Sequence, residues 1–308
     1  MTLVLGGRPE GLTTLHIDDD TVDTRARLVV VGNGMAGARL VEEVLERGGG
    51  EQFRITVFGD EPHGNYNRIM LSPVLAGETD EGEIVLNSHE WYADNDVELR
   101  AGVRVERIDT AAKQVHADDG TVTPYDHLVL ATGSYSFIPP MAGVRTDDGT
   151  LLPGVFGFRT IDETRAMLAA ARSRRRAVVM GGGLLGLEAA RALQSQGMQV
   201  ELVHAMPWLM NAQLDAEAGA ILKRSVESLG ITVHLDVLAT EVIGPDRVRG
   251  VVLKDGRRLD CHLLVVAAGV RPNTDVAVRL PWYSASGSAP VRTSASTRAC
   301  SQAGATRP

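Results

Sequence analysis

The chain has 308 residues, 44% of them hydrophobic and 23% charged, with a formal net charge of −8, the balance of a soluble protein with room for two ordinary domains. Its longest apolar stretch, around Leu263 to Val270, falls far short of the roughly 20 residues that span a membrane, and Met1 to Gly7 lacks the positive start of a secretory signal, so a cytoplasmic location with no membrane contact is expected. The acidic balance disfavours nucleic acid as a partner, and two cysteines without a C-x-x-C spacing, Cys261 and Cys300, predict neither a protein-held metal site nor dithiol chemistry.

In chain order, residues 1–26 read as a flexible lead. Arg27 to Val31 has the pattern of a buried strand and runs into Gly32-Asn33-Gly34-Met35-Ala36-Gly37, after which Ala38, Val41, Val44 and Leu45 keep a helical period. Arg54 to Phe58 gives a second strand. The alternating segments Val103 to Ile108 and Lys113 to Ala117, followed by the turn Asp118-Asp119-Gly120, predict a small antiparallel sheet. Leu128 to Gly133 is an apolar strand ending in a small residue and glycine. A Pro- and Gly-rich passage from Pro139 to Gly157 reads as an interdomain connection.

The plan then repeats. Ala177 to Met180 leads into Gly181-Gly182-Gly183-Leu184-Leu185-Gly186 and a helix through Leu187, Ala190 and Leu193 that stops near Gly197. Gln199 to Val203 is the next strand, Val248 to Leu259 an antiparallel insertion turning at Asp255-Gly256, and Leu263 to Gly269 the closing strand. The units are placed at residues 27–155 and 156–275. No Asp or Glu occurs after Asp275, while Arg279, Arg292, Arg298 and Arg307 do. Residues 276–308 therefore predict an irregular tail with the look of a truncated or frame-shifted end.

Each G-x-G-x-x-G lies between a predicted strand and a predicted helix, where the spacing has a mechanical meaning. The first glycine makes the tight turn, the second lets backbone approach a pyrophosphate, and the third packs helix on strand, while the helix N-terminus offers free N–H groups to the anion. Two such turns imply two dinucleotides. The fold class is thus α/β, with two Rossmann-like domains carrying small antiparallel β insertions.

At these residues the chain resembles the two-dinucleotide flavoprotein reductases, and within them the flavin part of the NAD(P)H-dependent nitrite reductase large subunit. The matching segments are Val31 to Gly37, Glu61-Pro62 with Tyr66 to Ser72, Ala131 to Ser134, Gly181 to Glu188, Val203 to Pro207, Gln213 to Asp215, and Gly269 to Asn273. The resemblance implies FAD on the first fold, at Gly32, Gly34, Met35, Ala36 and Gly37, with Glu61 and the neighbouring Asp60 as ribose acids. It also implies that Arg68 and Ser72 touch the flavin or its phosphates and that Thr132 and Gly133 meet the cofactor at the sheet edge. For the second fold it implies NADH or NADPH at Gly181, Gly183, Leu184, Leu185, Gly186 and Gly269, with Glu188 facing the nicotinamide.

His204 stands where an acid would read the ribose of NADH, as a coenzyme contact or as an exposed strand-end histidine. No Lys or Arg lies between Ala205 and Leu222 to receive a 2′-phosphate, which favours NADH. Met206, Trp208 and Met210 read as packing residues and Cys261 as core. The family's returning segment, which completes the FAD domain, is not legible after Asn273, so the C-terminal part of that domain is expected to be missing. The implied activity is hydride transfer from NAD(P)H to FAD and electron release to a redox partner protein or to iron–sulfur and sirohaem modules. No side chain is required as acid or base. The alternatives are a rubredoxin or ferredoxin reductase, an NADH oxidase, or a non-catalytic dinucleotide-binding remnant.

Overall fold

The computed structural model describes residues 23–173 and 175–278. The expectations for residues 1–22 and for most of the acid-free tail lie outside the described residues.

Two parallel sheets organise the chain. The first runs in the order Val97–Ala101, Phe53–Gly59, Ala26–Val31, His127–Leu130. The second runs Val155–Phe156, Leu263–Val266, Arg176–Met180, Gln199–Val203, Thr232–His234. Continuous β-branched runs suit strands covered on both faces, and Val29, Val30, Val178, Val179, Val265 and Val266 are fully buried or nearly so. Each central strand feeds a glycine turn and a helix, Met35–Glu46 in the first unit and Leu184–Ser195 in the second. The order puts the central strand between its second and closing strands, so both glycine turns emerge at the crevice where ligands bind in open α/β sheets.

Both antiparallel insertions are present. Val105–Asp109, Gln114–Ala117 and Val122–Pro124 form one, and Ala239–Ile243, Gly250–Leu253 and Arg258–Asp260 the other, which starts nine residues before Val248. The Pro139 to Gly157 passage is more than a connection. Met141, Val144 and Leu152 pack into one core with Val242, Val248 and Val251, and the Val242 N–H donates to the Ala142 carbonyl at 2.7 Å.

The two units share structure. A further core cluster joins Tyr66, Leu71, Leu75 and Ile84 of the first to Phe158, Met167 and Leu193 of the second. An antiparallel ribbon, Ser134–Ser136 against Val270–Pro272, links the exits of the two closing strands. Among the described residues His127–Leu130 pairs on one side only, and Leu128, Val129 and Leu130 are half-buried.

Candidate functional site

The two glycine turns repeat each other closely. Gly32 has φ +116° and Gly181 +117°, a region that side chains disfavour. A Cβ on Gly32 would lie 2.1 Å from the Ala131 carbonyl oxygen, and one on Gly181 2.2 Å from that of Ala267. A Cβ on Gly37 would meet the Gly32 oxygen at 1.9 Å, and one on Gly186 the Gly181 oxygen at 1.9 Å. These four glycines are demanded by the chain's own packing.

Gly34 and Gly183 are different. Their φ values of −80° and −84° suit any residue, and among the described residues nothing lies within 4 Å of where a Cβ would stand. Glycine there serves no contact among the described residues. The open space faces helix N-termini that no side chain caps, where the amides of the first turn have no intrahelical acceptor and the dipole favours an anion. Met35, Ala36 and Leu184 are exposed at these mouths, while Leu185 is half-buried against the core. Each turn therefore fits a pyrophosphate approaching along the backbone.

The acids after Phe53–Gly59 separate in role. Asp60 is exposed, with Arg104 3.5 Å away. The Glu61 carboxylate instead accepts from the Tyr66 hydroxyl at 2.6 Å and from Arg68 at 2.7 Å. Arg68 also donates to the Arg159 carbonyl at 2.7 Å and lies over the Tyr66 ring. Burial, reinforced by Glu61, pushes the Tyr66 hydroxyl pKa upward. Glu61, expected at the ribose, and Arg68, expected at the flavin or its phosphates, engage each other in the structure, because a half-buried guanidinium needs its counter-ion. Asp60 keeps the open carboxylate.

Arg159, not singled out from the sequence, is the less compensated cation. Its guanidinium donates to the Ser134 carbonyl and, among the described residues, forms no ion pair. Burial and the charge of Arg68 lower its pKa. The only sequence signal is an arginine two residues before the acid-rich start of the helix Ile161–Ser173.

Ser72 and Glu188, expected on separate cofactors, meet. The Ser72 hydroxyl donates to the Glu188 carboxylate at 2.7 Å, joining the helix Leu71–Ala76 to Leu184–Ser195. Thr132 and Gly133 are held by Asn273, the last residue of the matching segment Gly269 to Asn273, which the sequence did not single out as a site residue. The Thr132 hydroxyl donates to the Asn273 carbonyl at 2.7 Å, the Asn273 amide returns a bond to the Thr132 carbonyl at 2.7 Å, and the Asn273 N–H reaches the Gly133 carbonyl at 3.0 Å. Gly133 and Gly269 have φ of +66° and +112°, and a Cβ on either would stand in open space.

His204 is not the exposed strand-end histidine of the first alternative. It is 9% exposed, its Nδ1 accepts the Gly182 N–H at 3.0 Å, and its Nε2 lies 3.2 Å from Asn211 Oδ1. Burial pushes its pKa below the ordinary histidine value. Of the residues read as packing, Met206 is 44% exposed, whereas Trp208 covers Gly219 and donates to the Leu214 carbonyl at 2.9 Å. Cys261 is buried, as expected, and desolvation pushes its thiol up to about 12, far from a nucleophile's range.

Comparison with known proteins agrees with this geometry. The profile of the pyridine nucleotide-disulphide oxidoreductase family matches residues 26–290. The chain is 48% identical over 250 residues to the nitrite reductase [NAD(P)H] of Bacillus subtilis (strain 168), which covers 81% of this chain and 30% of that protein. It is 32% identical over 251 residues to the ferredoxin–NAD(+) reductase component of the biphenyl dioxygenase system of Paraburkholderia xenovorans (strain LB400), covering 81% of this chain and 59% of that one. Among solved structures, a ferredoxin reductase from Rhodopseudomonas palustris superposes with a TM-score of 0.74 at 30% identity, over 82% of this chain and 61% of that chain. The chain thus spans less than two thirds of the length of each of these relatives.

Proposed function

The chain belongs to the pyridine nucleotide-disulphide oxidoreductase family, and from that premise we propose that it is the flavin and nicotinamide module of an NAD(P)H oxidoreductase of the nitrite reductase large-subunit kind. One observation carries the reading: Gly34 and Gly183 are glycines that no packing among the described residues requires, each at the uncapped start of a helix. FAD and a nicotinamide nucleotide are its cofactors, and bound together they supply transfer of a hydride from nicotinamide to flavin.

The residues of the chain bind and orient. On the first fold the Gly32–Gly37 turn, with the amides of Met35 and Ala36, holds the pyrophosphate. Asp60 accepts from the ribose, and Thr132, Gly133 and the Arg68–Arg159 pair line the edge where the closing strand ends. On the second fold Gly181, Gly183, Leu184, Leu185 and Gly186 form the matching cradle, and Gly269 keeps the strand exit open. Ser72 and Glu188 fasten the helices between the cradles, fixing one relative to the other. NADH is the preferred coenzyme, since no Lys or Arg between Ala205 and Leu222 faces a 2′-phosphate. Electrons leave to a redox partner protein, in a cytoplasmic setting; among the described residues no helix is long and apolar enough to cross a membrane.

A ferredoxin-reductase role is the second reading, supported by the likeness to the biphenyl dioxygenase component and the Rhodopseudomonas palustris structure. Either reading is tested by incubating the purified chain with FAD, removing free flavin, and adding NADH without oxygen. Retained yellow colour that bleaches supports the proposal. Colourless protein that still binds NADH supports a non-catalytic remnant. Supplying nitrite or a ferredoxin-type acceptor with its partner modules then separates the two readings.

A further inference from the structure

The variable position of the two glycine motifs is Asn33 in the first and Gly182 in the second, so the second turn carries three consecutive glycines of which the dinucleotide fingerprint explains only two. Strand register explains the third. The Gly32 N–H donates to the Phe58 carbonyl and the Gly181 N–H to the Val203 carbonyl, which makes Gly59 the counterpart of His204 and Asn33 the counterpart of Gly182. A Cβ on Gly59 would lie 2.8 Å from the Asn33 Cβ, and a Cβ on Gly182 would lie 2.7 Å from the His204 Cγ. Each copy has one glycine and one side chain at this contact, in opposite order.

The side chain performs the same task in both. Asn33 accepts from the Tyr92 hydroxyl at 2.5 Å, its Nδ2 reaches the His63 carbonyl at 3.4 Å, and its backbone carbonyl accepts from Asn65 at 3.1 Å. In the second copy Gly182 has no side chain to anchor, and His204 reaches it from the next strand. The Gly182 N–H goes to His204 Nδ1 at 3.0 Å, and the Gly182 carbonyl accepts from the Met210 N–H at 2.8 Å. An imidazole that accepts at Nδ1 carries its proton on Nε2, which faces Asn211 Oδ1.

We infer that His204 is a positioning residue for the second glycine turn: its neutral Nδ1-acceptor tautomer braces Gly182 so that the turn is ready for the nicotinamide nucleotide, and a proton on Nδ1 releases it. The inference rests on the assignment of that turn to NAD(P)H. Protonation turns the acceptor into a donor facing another donor, and the binding-competent fraction of the turn, and with it the apparent affinity, falls. Among the described residues the groups around the ring add no charge. The glycine turn contributes an amide, the Trp208–Asn211 segment a carbonyl, the Leu209 side chain and the Asn211 amide, and the titratable ring of His234 on Thr232–His234 is turned to Glu201 at 2.8 Å and Arg257 at 3.0 Å. Burial lowers the His204 pKa, so the folded state resists the proton that the unfolded chain takes up. The brace is intact at neutral pH, and its loss begins only as pH falls below the ordinary histidine value of about 6.5.

The test uses the full FAD-treated chain, its His204→Asn and His204→Leu variants, and NADH titrated between mildly acid and mildly alkaline pH. Asn places an oxygen where Nδ1 stands but does not titrate. The parent should bind NADH progressively more weakly toward acid pH, His204→Asn should keep its affinity flat across the range, and His204→Leu should bind about tenfold more weakly throughout with FAD retention unchanged. A His204→Leu variant with the parent's affinity and pH profile, or an acid loss that persists in His204→Asn, overturns the inference. Imidazole ¹⁵N shifts of the parent give a ligand-free check: a proton on Nδ1 at neutral pH also overturns it. A parent that binds no NADH at any pH refutes the assignment of the turn instead, a distinct outcome.

Discussion

The Ser72 hydroxyl donates to the Glu188 carboxylate across 2.7 Å, linking a short helix of the first unit to the helix that opens the second glycine turn. Both residues are half-buried, and a hydrogen bond to an ionised acceptor there outweighs a neutral surface contact. Ser72→Ala and Glu188→Gln should each cost about 1 kcal/mol, lowering Tm by about 2–4 °C. The double variant should cost clearly less than the two losses added, because the second removal finds no bond left. Additive losses in thermal melts would show that the pair is not coupled.

The two acids after Gly59 should separate in their effects. Glu61→Gln removes the counter-ion of half-buried Arg68 and weakens the Tyr66 contact, so a stability loss of about 2 kcal/mol is expected in denaturant titration. Asp60→Asn, at an exposed carboxylate 3.5 Å from Arg104, should leave stability within about 0.5 kcal/mol while weakening FAD. If Asp60→Asn retains FAD like the parent and Glu61→Gln loses it without unfolding, the ribose belongs to Glu61.

Cys261 should be inert in the folded protein. Its thiol is pushed up to about 12 by burial, so it holds its proton where an unfolded thiol, near 8.5, has lost it. The sign follows: folding stability from this group is whole below about 8.5 and drains away as pH rises toward 12. In a Cys300→Ser background, iodoacetamide at pH 8 should label Cys261 only when denaturant is present, as read by mass. Fast labelling of the native chain would contradict the buried placement.

Much of this organisation is legible in the residues themselves. Two strand-turn-helix fingerprints and two closing strands ending in Thr132-Gly133 and Ala268-Gly269 suffice for the twofold plan, because buried parallel strands read as continuous apolar runs. What stays hidden depends on register and on partners distant in sequence. That Gly59 faces Asn33 while His204 faces Gly182 follows from strand pairing. Position along the chain cannot show which of two adjacent acids turns inward to Arg68. Asn273 clamps Thr132 and Gly133 across 141 positions, and Arg159 becomes notable only beside Arg68.

The separateness of the two dinucleotide cradles is measured most directly by a pair of binding titrations on Gly34→Val and Gly183→Val. Because a Cβ at either position stands in open space at an ordinary φ, both variants should fold with Tm within about 2 °C of the parent. By contrast Gly32→Ala, at φ +116° and 2.1 Å from the Ala131 carbonyl oxygen, should be clearly destabilised. Gly34→Val should lose FAD and keep NADH, while Gly183→Val should lose NADH and keep FAD. Folded variants that each keep the cofactor of their own turn, or that each lose both equally, would contradict that separateness.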